Sequence, residues 1–275
     1  MSTIADRDYV LGTGDVEIER LGLQHRVWRP TVLNCWQRAG ITVGSRVLDV
    51  GSGPGSATVD LAEIVGPTGE VVAVERSRRF VEHARQVCRS RGLAHVSVQE
   101  RDLMTDPWPE GGFDFAWTRW VASFVPDPQK LVASLSRAVR PGGRAIFHEY
   151  IDYSTWRLAP RNRPVEDFVA QVMASWRDDG GEPDISLSLP SWLEEAGFEI
   201  EATIPRVFCV RPCDHVWRWP AEFINVNLQR LLDLGRVSSE WVETVQRELT
   251  EAERKPGTRM VTPMVLEILA RRIEV

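Results

Sequence analysis

The sequence predicts an α/β protein in which an open, doubly wound parallel sheet carries helices on both faces. An apolar strand followed by an amphipathic helix recurs through the first 150 residues, a pattern typical of strands joined by helical crossovers. A glycine-rich turn, VGSGPG, follows the first of these strands. With 275 residues, of which 43% are hydrophobic, the chain is long enough to bury a core and form one large domain.

Five strands come first, and helices fill the gaps between them. Ser77 fits the N-cap of the helix after the second strand, and Gly92 lies just beyond the end of that helix. The helix before the fifth strand begins at Asp127-Pro128, with proline at its first position, and ends at RPGG. The strands are expected at residues 46–50, 71–75, 95–99, 113–117 and 144–150.

The alternation becomes irregular beyond residue 150. A helix is expected at 164–177, and LPSWLEEAGFEIEATI predicts a short helix, a glycine stop and a strand. Two more helical patterns, at 221–234 and 238–254, precede a last apolar strand at 259–271. We expect a single domain over 1–275, with an N-terminal helical cap (1–40), a core (41–211 and 258–275) and a helical insertion (212–257) that serves as a lid, a dimer surface or both.

The charge and the apolar content argue against two classes of partner. The net charge is −6 and no long Lys/Arg run occurs, so the chain has no surface suited to a nucleic-acid backbone. The sequence begins without a basic and then apolar leader, and it contains no stretch of about 18 apolar residues. We therefore expect a cytoplasmic protein with neither nucleic acid nor a membrane as a partner.

The cysteines indicate reduced thiols rather than a disulfide framework, because Cys35, Cys88, Cys209 and Cys213 are widely scattered. Cys209, Cys213 and His215 lie close together in sequence, but a fourth ligand at zinc-like spacing is missing. We expect no metal site.

The glycine turn decides between two kinds of cofactor. A dinucleotide site needs G-x-G-x-x-G/A, whereas this turn reads G-x-G-x-G from Gly51 and has Ser56 at the third fingerprint position. Asp49 lies just before the glycines, where a carboxylate disfavours a diphosphate and attracts an ammonium group. Glu75 ends the second strand and can accept hydrogen bonds from both ribose hydroxyls, as NAD and S-adenosylmethionine each require. The turn therefore suits a zwitterion better than a diphosphate.

Three further segments follow the glycine turn at regular spacing. They are VVAVERS at the second strand, ERDL after the third, and FDFAWTRWVASFVPDPQKLVASLSRAVRPGGRAIFHEY from the fourth strand to the fifth. Together with VLDVGSGPG, these segments resemble the motifs of the class I S-adenosylmethionine-dependent methyltransferases that act on small molecules. The resemblance implies a Rossmann-like sheet of seven strands whose last strand is antiparallel.

The resemblance also implies a role for each matching position in binding S-adenosylmethionine, with S-adenosylhomocysteine as the product. Each residue has a structural alternative as well, as a turn residue, a cap or a solvated strand end. The implied contacts are Gly51, Ser52 and Gly53 with the methionine part, Asp49 with its amino group, Glu75 with the ribose, Arg76, Asp102 and Leu103 with the adenine, backbone atoms of Thr118 and Arg119 with the amino-acid pocket, and Tyr9 from an N-terminal helix.

Methyl transfer from a sulfonium requires an aligned acceptor and the exclusion of water, but no covalent nucleophile. A hydroxyl acceptor would also need a general base. His148 is the candidate base, because it lies at the carboxyl end of the fifth strand with Glu149 and Tyr150 beside it; a histidine there can equally point into the helix layer. His25 or His215 could serve if the N-terminal helix or the insertion folds over the site.

Eleven tryptophans are many for a chain of this length, and several lie where the strands are expected to end. Such rings could form a pocket for a flat or apolar substrate or for a cationic amine, although most tryptophans are packing residues. The candidate substrate contacts are Trp28, Trp120, Tyr150, Trp156 and Trp217, with Trp219 nearby.

We therefore expect methyl transfer by in-line displacement to an O, N or C atom of a small aromatic or apolar molecule. The chain has TRWVASF after the fourth strand, where methyltransferases of exocyclic base amines have D/N-P-P-Y/F/W. Two alternatives stay open. An NAD(P)-dependent oxidoreductase would share the glycine turn and Glu75, and a non-catalytic S-adenosylmethionine-binding protein would share the whole fold. A homodimer is compatible with the sequence.

Overall fold

The chain forms a seven-stranded sheet with helices on both faces and a three-stranded sheet beside it. This computed structural model describes residues 14–273. The strands are β1 (Arg46–Val50), β2 (Glu70–Glu75), β3 (Val96–Glu100), β4 (Phe113–Arg119), β5 (Val139–Asp152), β6 (Arg157–Ala159), β7 (Phe198–Arg206), β8 (Cys209–Val210), β9 (Arg259–Val261) and β10 (Met264–Arg272). The helices are α1 (Asp15–Ala39), α2 (Ser56–Val65), α3 (Arg78–Ser90), α4 (Pro128–Ala138), α5 (Arg163–Asp178), α6 (Leu189–Glu195), α7 (Arg218–Asp233) and α8 (Ser239–Arg254).

The order of strands in the large sheet is β3-β2-β1-β4-β5-β10-β7. The first five of these strands are parallel, and β10 runs antiparallel to both of its neighbours, β5 and β7. The predicted doubly wound sheet of seven strands with an antiparallel last strand is confirmed. The direction of winding reverses between β1 and β4, so a crevice opens at the carboxyl ends of these two strands.

The last apolar segment forms two strands, so the prediction of a single strand at 259–271 is wrong. β9 pairs with β6 and β8 in the small sheet, whereas β10 joins the large one. Between them, the N–H of Thr262 donates to the carbonyl of Phe208 (3.0 Å), and the Thr262 hydroxyl accepts from the N–H of Phe208 (3.0 Å). Pro263 follows and has no N–H to offer a sheet. The chain changes sheets at this point.

Alternate residues of the strands pack on opposite faces of the sheet. Val47 and Ile146 face the core shared with α1, α5, α7 and α8, whereas Leu48 and Phe147 face the core shared with α4 and α6. The two helices near the C-terminus, α7 and α8, thus cover the same face as α1. The indole N–H of Trp219 on α7 donates to the side-chain oxygen of Gln24 on α1 (3.1 Å). The division into cap, core and insertion stays a prediction.

A buried ionic cluster joins α1 to three strands of the sheet. Its centre is Glu267 on β10, which lies opposite His148 on β5 and is 1% exposed. The His148 Nε2 atom lies 3.2 Å from the carboxylate, Arg206 of β7 donates to it at 3.3 Å, and Arg38 of α1 forms an ion pair with it. Burial acts to raise the pKa of Glu267, but the contacts with His148, Arg38 and Arg206 outweigh it and lower that pKa to about 2.

We predict that Glu267→Gln lowers the free energy of unfolding by about 3 kcal/mol at pH 7, because the charges gathered around the carboxylate lose their counterion. A carboxyl whose folded-state pKa lies below its unfolded value stabilises the fold above about pH 4.5, and that stability is lost as the pH falls toward 2. Urea unfolding at pH 7 and between pH 3 and 5 measures both effects. Glu199→Gln, which removes a more exposed partner of Arg271, is the control and should cost less than about 1 kcal/mol. Equal losses for the two variants would contradict the assignment.

Candidate functional site

A cavity of about 320 Å³ lies in the crevice at the reversal point of the sheet. Its walls come from the glycine turn after β1, the end of β2, the loop after β3, the end of β4 and the loop that follows, and one side of α1. In an open α/β sheet a ligand binds at this place, outside the carboxyl ends of the strands.

The glycine turn is shaped by a close approach to the loop after β4. Gly51 has φ +67°, and a Cβ atom there would lie 2.4 Å from a methyl carbon of Val121. Gly55 has φ +89°, and a Cβ atom there would lie 2.7 Å from the Cβ of Ala84 on α3. The N–H groups of Gly51 and Ser52 both donate to the carbonyl of Val74, at 2.9 and 3.0 Å. Glycine is therefore required by backbone conformation and by space at both positions.

Asp49 borders the cavity from the end of β1 and is only 2% exposed. Its carboxylate accepts a hydrogen bond of 2.6 Å from the hydroxyl of Thr58 on α2. Burial raises the pKa of Asp49 to about 6, and the Thr58 hydrogen bond and the charge of Arg119 act against that rise. Asp49 thus provides a negative charge, ionised at neutral pH, in a poorly solvated place.

Glu75 ends β2 and holds the glycine turn through its side chain. One carboxylate oxygen accepts from the N–H of Gly53 (2.9 Å) and the other from the N–H of Ser77 (2.8 Å). Burial raises the pKa of this carboxyl, and the two backbone donors oppose that shift. Each oxygen retains a lone pair for a further donor, so the carboxylate can also receive two ligand hydroxyls.

The loop after β3 forms the far wall of the cavity. A carboxylate oxygen of Asp102 accepts from the N–H of Met104 (2.7 Å), and the N–H of Asp102 donates to Asp106 (2.8 Å). The carbonyl of Leu103 accepts from the indole N–H of Trp108 (3.0 Å). These local hydrogen bonds give the loop a defined shape beside the cavity.

The loop after β4 is anchored from behind by Glu149, which is fully buried. Its carboxylate accepts from the N–H groups of Val121 (2.7 Å) and Ala122 (2.9 Å) and from the hydroxyl of Ser123 (3.0 Å). Burial raises the pKa of Glu149 to about 7, against the effect of these donors. Glu149 therefore positions this loop.

Trp120 lies at the start of this loop and borders the cavity. It is the one residue other than glycine with positive φ (+54°) in the part of the chain that the structure describes. Its N–H donates to the carbonyl of His148 (3.0 Å). Its ring stacks between Tyr150 (5.5 Å between centroids) and Trp219 (5.8 Å). The backbone and both ring faces thus hold Trp120 in place.

The structure brings most of the predicted cofactor residues together. Thr118 does not border the cavity with its side chain, because it is fully buried within β4. Tyr9 lies outside the described residues. The predicted residues that border the cavity are Asp49, Gly51, Ser52, Gly53, Glu75, Arg76, Asp102, Leu103 and Arg119.

The prediction of His148 as general base needs correction. His148 is fully buried beside Glu267 and does not border the cavity, and its ring packs against the indoles of Trp117 (4.9 Å) and Trp28 (6.1 Å). Burial lowers the pKa of His148. The side chain points into the helix layer, which was the structural alternative.

Four of the five predicted substrate aromatics also need correction, because only Trp120 borders the cavity. Trp28 is enclosed by other rings, and Tyr150 lies behind Trp120. The indole N–H of Trp156 donates to the sulfur of Met260 (3.3 Å), and that of Trp217 donates to Glu253 (2.8 Å). These four residues are packing residues, and Trp28 and Tyr150 support the wall through their contacts with Trp120.

Sequence reasoning missed several residues of the wall. Leu21 and Gln24 border the cavity and lie in no motif, and Phe124 borders it within the segment after the fourth strand, where no role was assigned to it. His25 borders it too, and the structure places α1 over the site as that alternative required. Its spacing of four residues from Arg29 puts both on one face of α1, but nothing in the sequence indicates their shared partner, Asp60.

Cys209, Cys213 and His215, which lie close together in sequence, are not the residues whose ligand atoms gather in the described part of the chain. In the described part of the chain, the only three ligand atoms that lie within 4.8 Å of one another belong to Cys35, His148 and Glu267. Two arginines already pair with Glu267, and burial, followed by the charge of Glu267, raises the pKa of the Cys35 thiol. These groups form a hydrogen-bonded ionic cluster.

Comparison with known proteins places the chain in a family. A family model described as a methyltransferase domain matches residues 41–179, which is half of the chain and includes every wall of the cavity except α1. The chain belongs to this methyltransferase family. The resemblance to class I S-adenosylmethionine-dependent methyltransferases is confirmed, and with it S-adenosylmethionine as the expected cofactor. The nicotinamide-dependent alternative finds no support.

Two curated relatives and one solved structure show the range of this similarity. The demethylmenaquinone methyltransferase of Anoxybacillus flavithermus is 30% identical over 126 residues, which cover 46% of this chain and 52% of the relative. A ubiquinone/menaquinone biosynthesis C-methyltransferase of Yersinia enterocolitica is 27% identical over 191 residues, covering 64% and 73%. The geranyl diphosphate C-methyltransferase of Streptomyces coelicolor superposes with TM-score 0.59 at 16% identity, covering 90% and 82%, and shows the shared fold.

The match spans about half the length of the demethylmenaquinone methyltransferase. Among the described helices, none is both long enough and apolar enough to cross a bilayer.

We predict that Glu75→Gln weakens binding of S-adenosylhomocysteine by about 10- to 100-fold, because the amide nitrogen cannot accept hydrogen bonds and the ribose loses an ionised acceptor. Isothermal titration calorimetry measures the affinity. Glu100→Gln is the matched control, since Glu100 is the register neighbour of Glu75 on β3 but is exposed and does not border the cavity. An affinity of Glu75→Gln within twofold of the original chain would overturn the ribose assignment.

We predict that the affinity for S-adenosylhomocysteine falls about tenfold between pH 8 and pH 5. Protonation of Asp49, with a pKa of about 6, removes the negative charge that attracts the ammonium group, so affinity is lost as the pH decreases through 6. Titration across this range tests it, with Asp49→Asn as the variant that should bind weakly at every pH. If Asp49→Asn keeps the pH profile of the original chain, another group is responsible.

Proposed function

We propose that this chain is a methyltransferase that moves a methyl group from S-adenosylmethionine, by in-line displacement, to a C, O or N atom of a small apolar molecule. One observation carries the proposal: Asp49, Glu75 and Asp102, at or just after the ends of three adjacent strands, all border one cavity beside the glycine turn. In our proposal Asp49 binds the ammonium group, Glu75 the ribose, and Asp102 with Leu103 the adenine. S-adenosylmethionine supplies a methyl group carried on a positively charged sulfur.

The loop after β4 and Leu21 of α1 line the cavity with apolar side chains, which supports an apolar acceptor. Gln24 of α1 also borders the cavity, and its side-chain oxygen already accepts hydrogen bonds from Arg20 (3.2 Å) and from Trp219 (3.1 Å). An acceptor there would gain its binding energy mainly from the removal of apolar surface from water. The residues that provide this surface are Leu21, Trp120, Val121, Phe124, Val125 and Pro126.

The side chains that line the cavity favour an acceptor that loses its proton without the help of a general base from the protein. His25 is the only histidine among the described residues of the wall, and both of its ring nitrogens are already in hydrogen-bonding contact with side chains. The carboxylates of the wall are assigned to the cofactor in our proposal. The chain would therefore align the acceptor and exclude water, while substituents of the acceptor itself activate the atom that is methylated.

An electron-rich ring carbon meets this requirement well, because neighbouring hydroxyl groups can activate it. The printed names of the two curated relatives support the same choice, since one acts on demethylmenaquinone and the other is named as a C-methyltransferase of quinone biosynthesis. We therefore favour a hydroquinone-like aromatic acceptor.

The remaining expectations are part of this proposal. Residues 212–257 would serve as a lid together with α1, supported by the contact of Trp219 with Gln24. A cytoplasmic location and a homodimer stay predictions. The absence of a nucleic-acid partner stays a prediction too, and the acidic balance of the chain supports it.

The test is a transfer assay with isotopically labelled S-adenosylmethionine and three acceptor classes: 1,4-naphthoquinols, simple phenols and apolar amines. We expect turnover of the naphthoquinol, with label on a ring carbon. Phe124→Ala should raise the acceptor KM about tenfold and leave S-adenosylhomocysteine affinity within twofold, because it removes apolar contact area only on the acceptor side.

Phe208→Ala is the matched control, because Phe208 packs against Trp28 and does not border the cavity. Tight binding of S-adenosylhomocysteine with no turnover of any acceptor class would favour the non-catalytic alternative. Turnover of a phenol or an amine alone would keep the methyltransferase but refute the carbon acceptor.

A further inference from the structure

A line of four polar side chains runs from α2 through α1 to the end of β4. The carboxylate of Asp60 on α2 accepts two hydrogen bonds from Arg29, at 2.7 and 3.2 Å. The same carboxylate lies 3.0 Å from Nε2 of His25. On the other side of the ring, Nη2 of Arg119 lies 3.1 Å from Nδ1 of His25. His25 and Asp60 are both buried.

The direction of each hydrogen bond follows from the chemistry of these groups. A guanidinium only donates, so Nδ1 of His25 must carry a lone pair and accept from Arg119. The proton of the neutral ring is then on Nε2 and is donated to Asp60. Burial lowers the pKa of His25, which agrees with a neutral ring. The hydrogen bond to Asp60 thus fixes the tautomer of His25. In this tautomer, Nδ1 of His25 accepts the hydrogen bond from Arg119.

Arg119 is a cation in an unusual setting. No carboxylate forms a salt bridge with it in the described part of the chain, and its Nη1 atom is buried with no hydrogen-bond partner there. Burial lowers the pKa of Arg119 to about 10, so the group stays charged at neutral pH. Its guanidinium carbon lies 5.0 Å from the ring centre of Trp120. A guanidinium that forms no salt bridge and has a buried Nη1 without an acceptor indicates that a ligand provides the acceptor.

We propose that the guanidinium of Arg119 binds the carboxylate of the methionine part of S-adenosylmethionine, and that His25 with Asp60 forms the positioning pair that aims it. The inference rests on the proposed function and deepens it. Arg119 borders the same cavity as Asp49, and the charge of each acts on the other. An anion and a cation on one wall match the ammonium and the carboxylate of one amino acid. The resemblance implied only backbone atoms of Arg119 in this role.

The assignment predicts a loss of affinity that depends on the ligand. Arg119→Met should weaken S-adenosylhomocysteine about 30-fold, because a charged hydrogen bond is lost. It should leave 5′-deoxy-5′-methylthioadenosine, which has the same nucleoside but no amino acid, within twofold. His25→Leu should weaken S-adenosylhomocysteine about fivefold and spare the second ligand, and His25→Gln, whose carbonyl can accept from Arg119, should recover part of the loss.

Calorimetry with both ligands measures these affinities, and a thermal melt without ligand establishes that each variant is folded. Should Arg119→Met not fold, Arg119→Gln takes its place, since its amide retains a donor for His25. Arg76→Met is the matched control: Arg76 borders the same cavity, beside the position assigned to the adenine, and its loss should weaken both ligands by a similar factor.

Three outcomes would overturn the inference. One is an equal loss for both ligands in Arg119→Met, and a second is no loss for either. The third is unchanged S-adenosylhomocysteine affinity with a raised acceptor KM, which would assign Arg119 to a carboxylate of the acceptor. A failure of the original chain to bind either ligand would instead refute the proposed function.

Discussion

The site depends on how closely three strand ends approach one another at the reversal point of the sheet. The loop after β4 reaches the glycine turn so closely that Val121 occupies the space of a Cβ at Gly51. The same turn is tied to β2 through the hydrogen bond from Gly53 to Glu75. Because the backbone of the glycine turn is one partner in each contact, the acidic side chains of β1 and β2 hold fixed positions around one cavity.

Two fully buried carboxyls support this arrangement, and their surroundings move their pKa values in opposite directions. Glu149 receives uncharged donors alone, so burial prevails and its pKa rises to about 7. Glu267 receives His148 and two arginines, so charge prevails and its pKa falls to about 2. The first anchors the loop that carries Trp120, and the second anchors α1 through Arg38. Both sides of the cavity are thus held by groups that lie outside it.

The aromatic residues serve mainly as support. Trp120 is stacked between Tyr150 and Trp219, and Trp28 touches both Trp120 and Trp219 edge-on. Rings of this size fill the space between α1, α7 and the sheet, and their stacking fixes Trp120, which borders the cavity together with Trp117. In this chain, Trp28 and Trp219 therefore form the packing behind the site, whereas Trp120 borders the cavity itself.

The sequence by itself determined the order of the strands along the chain, the glycine turn and the acidic residues that follow the strands. These features depend on local spacing and periodicity, and the first four strands match β1–β4 within two residues at each end. The division of the last segment into β9 and β10 and the burial of His148 were decided only by the tertiary structure. So was the line from Asp60 through His25 to Arg119, which joins residues 35 and 94 positions apart. Such contacts depend on how α1 and α2 pack against the sheet, and no local pattern in the sequence records that packing.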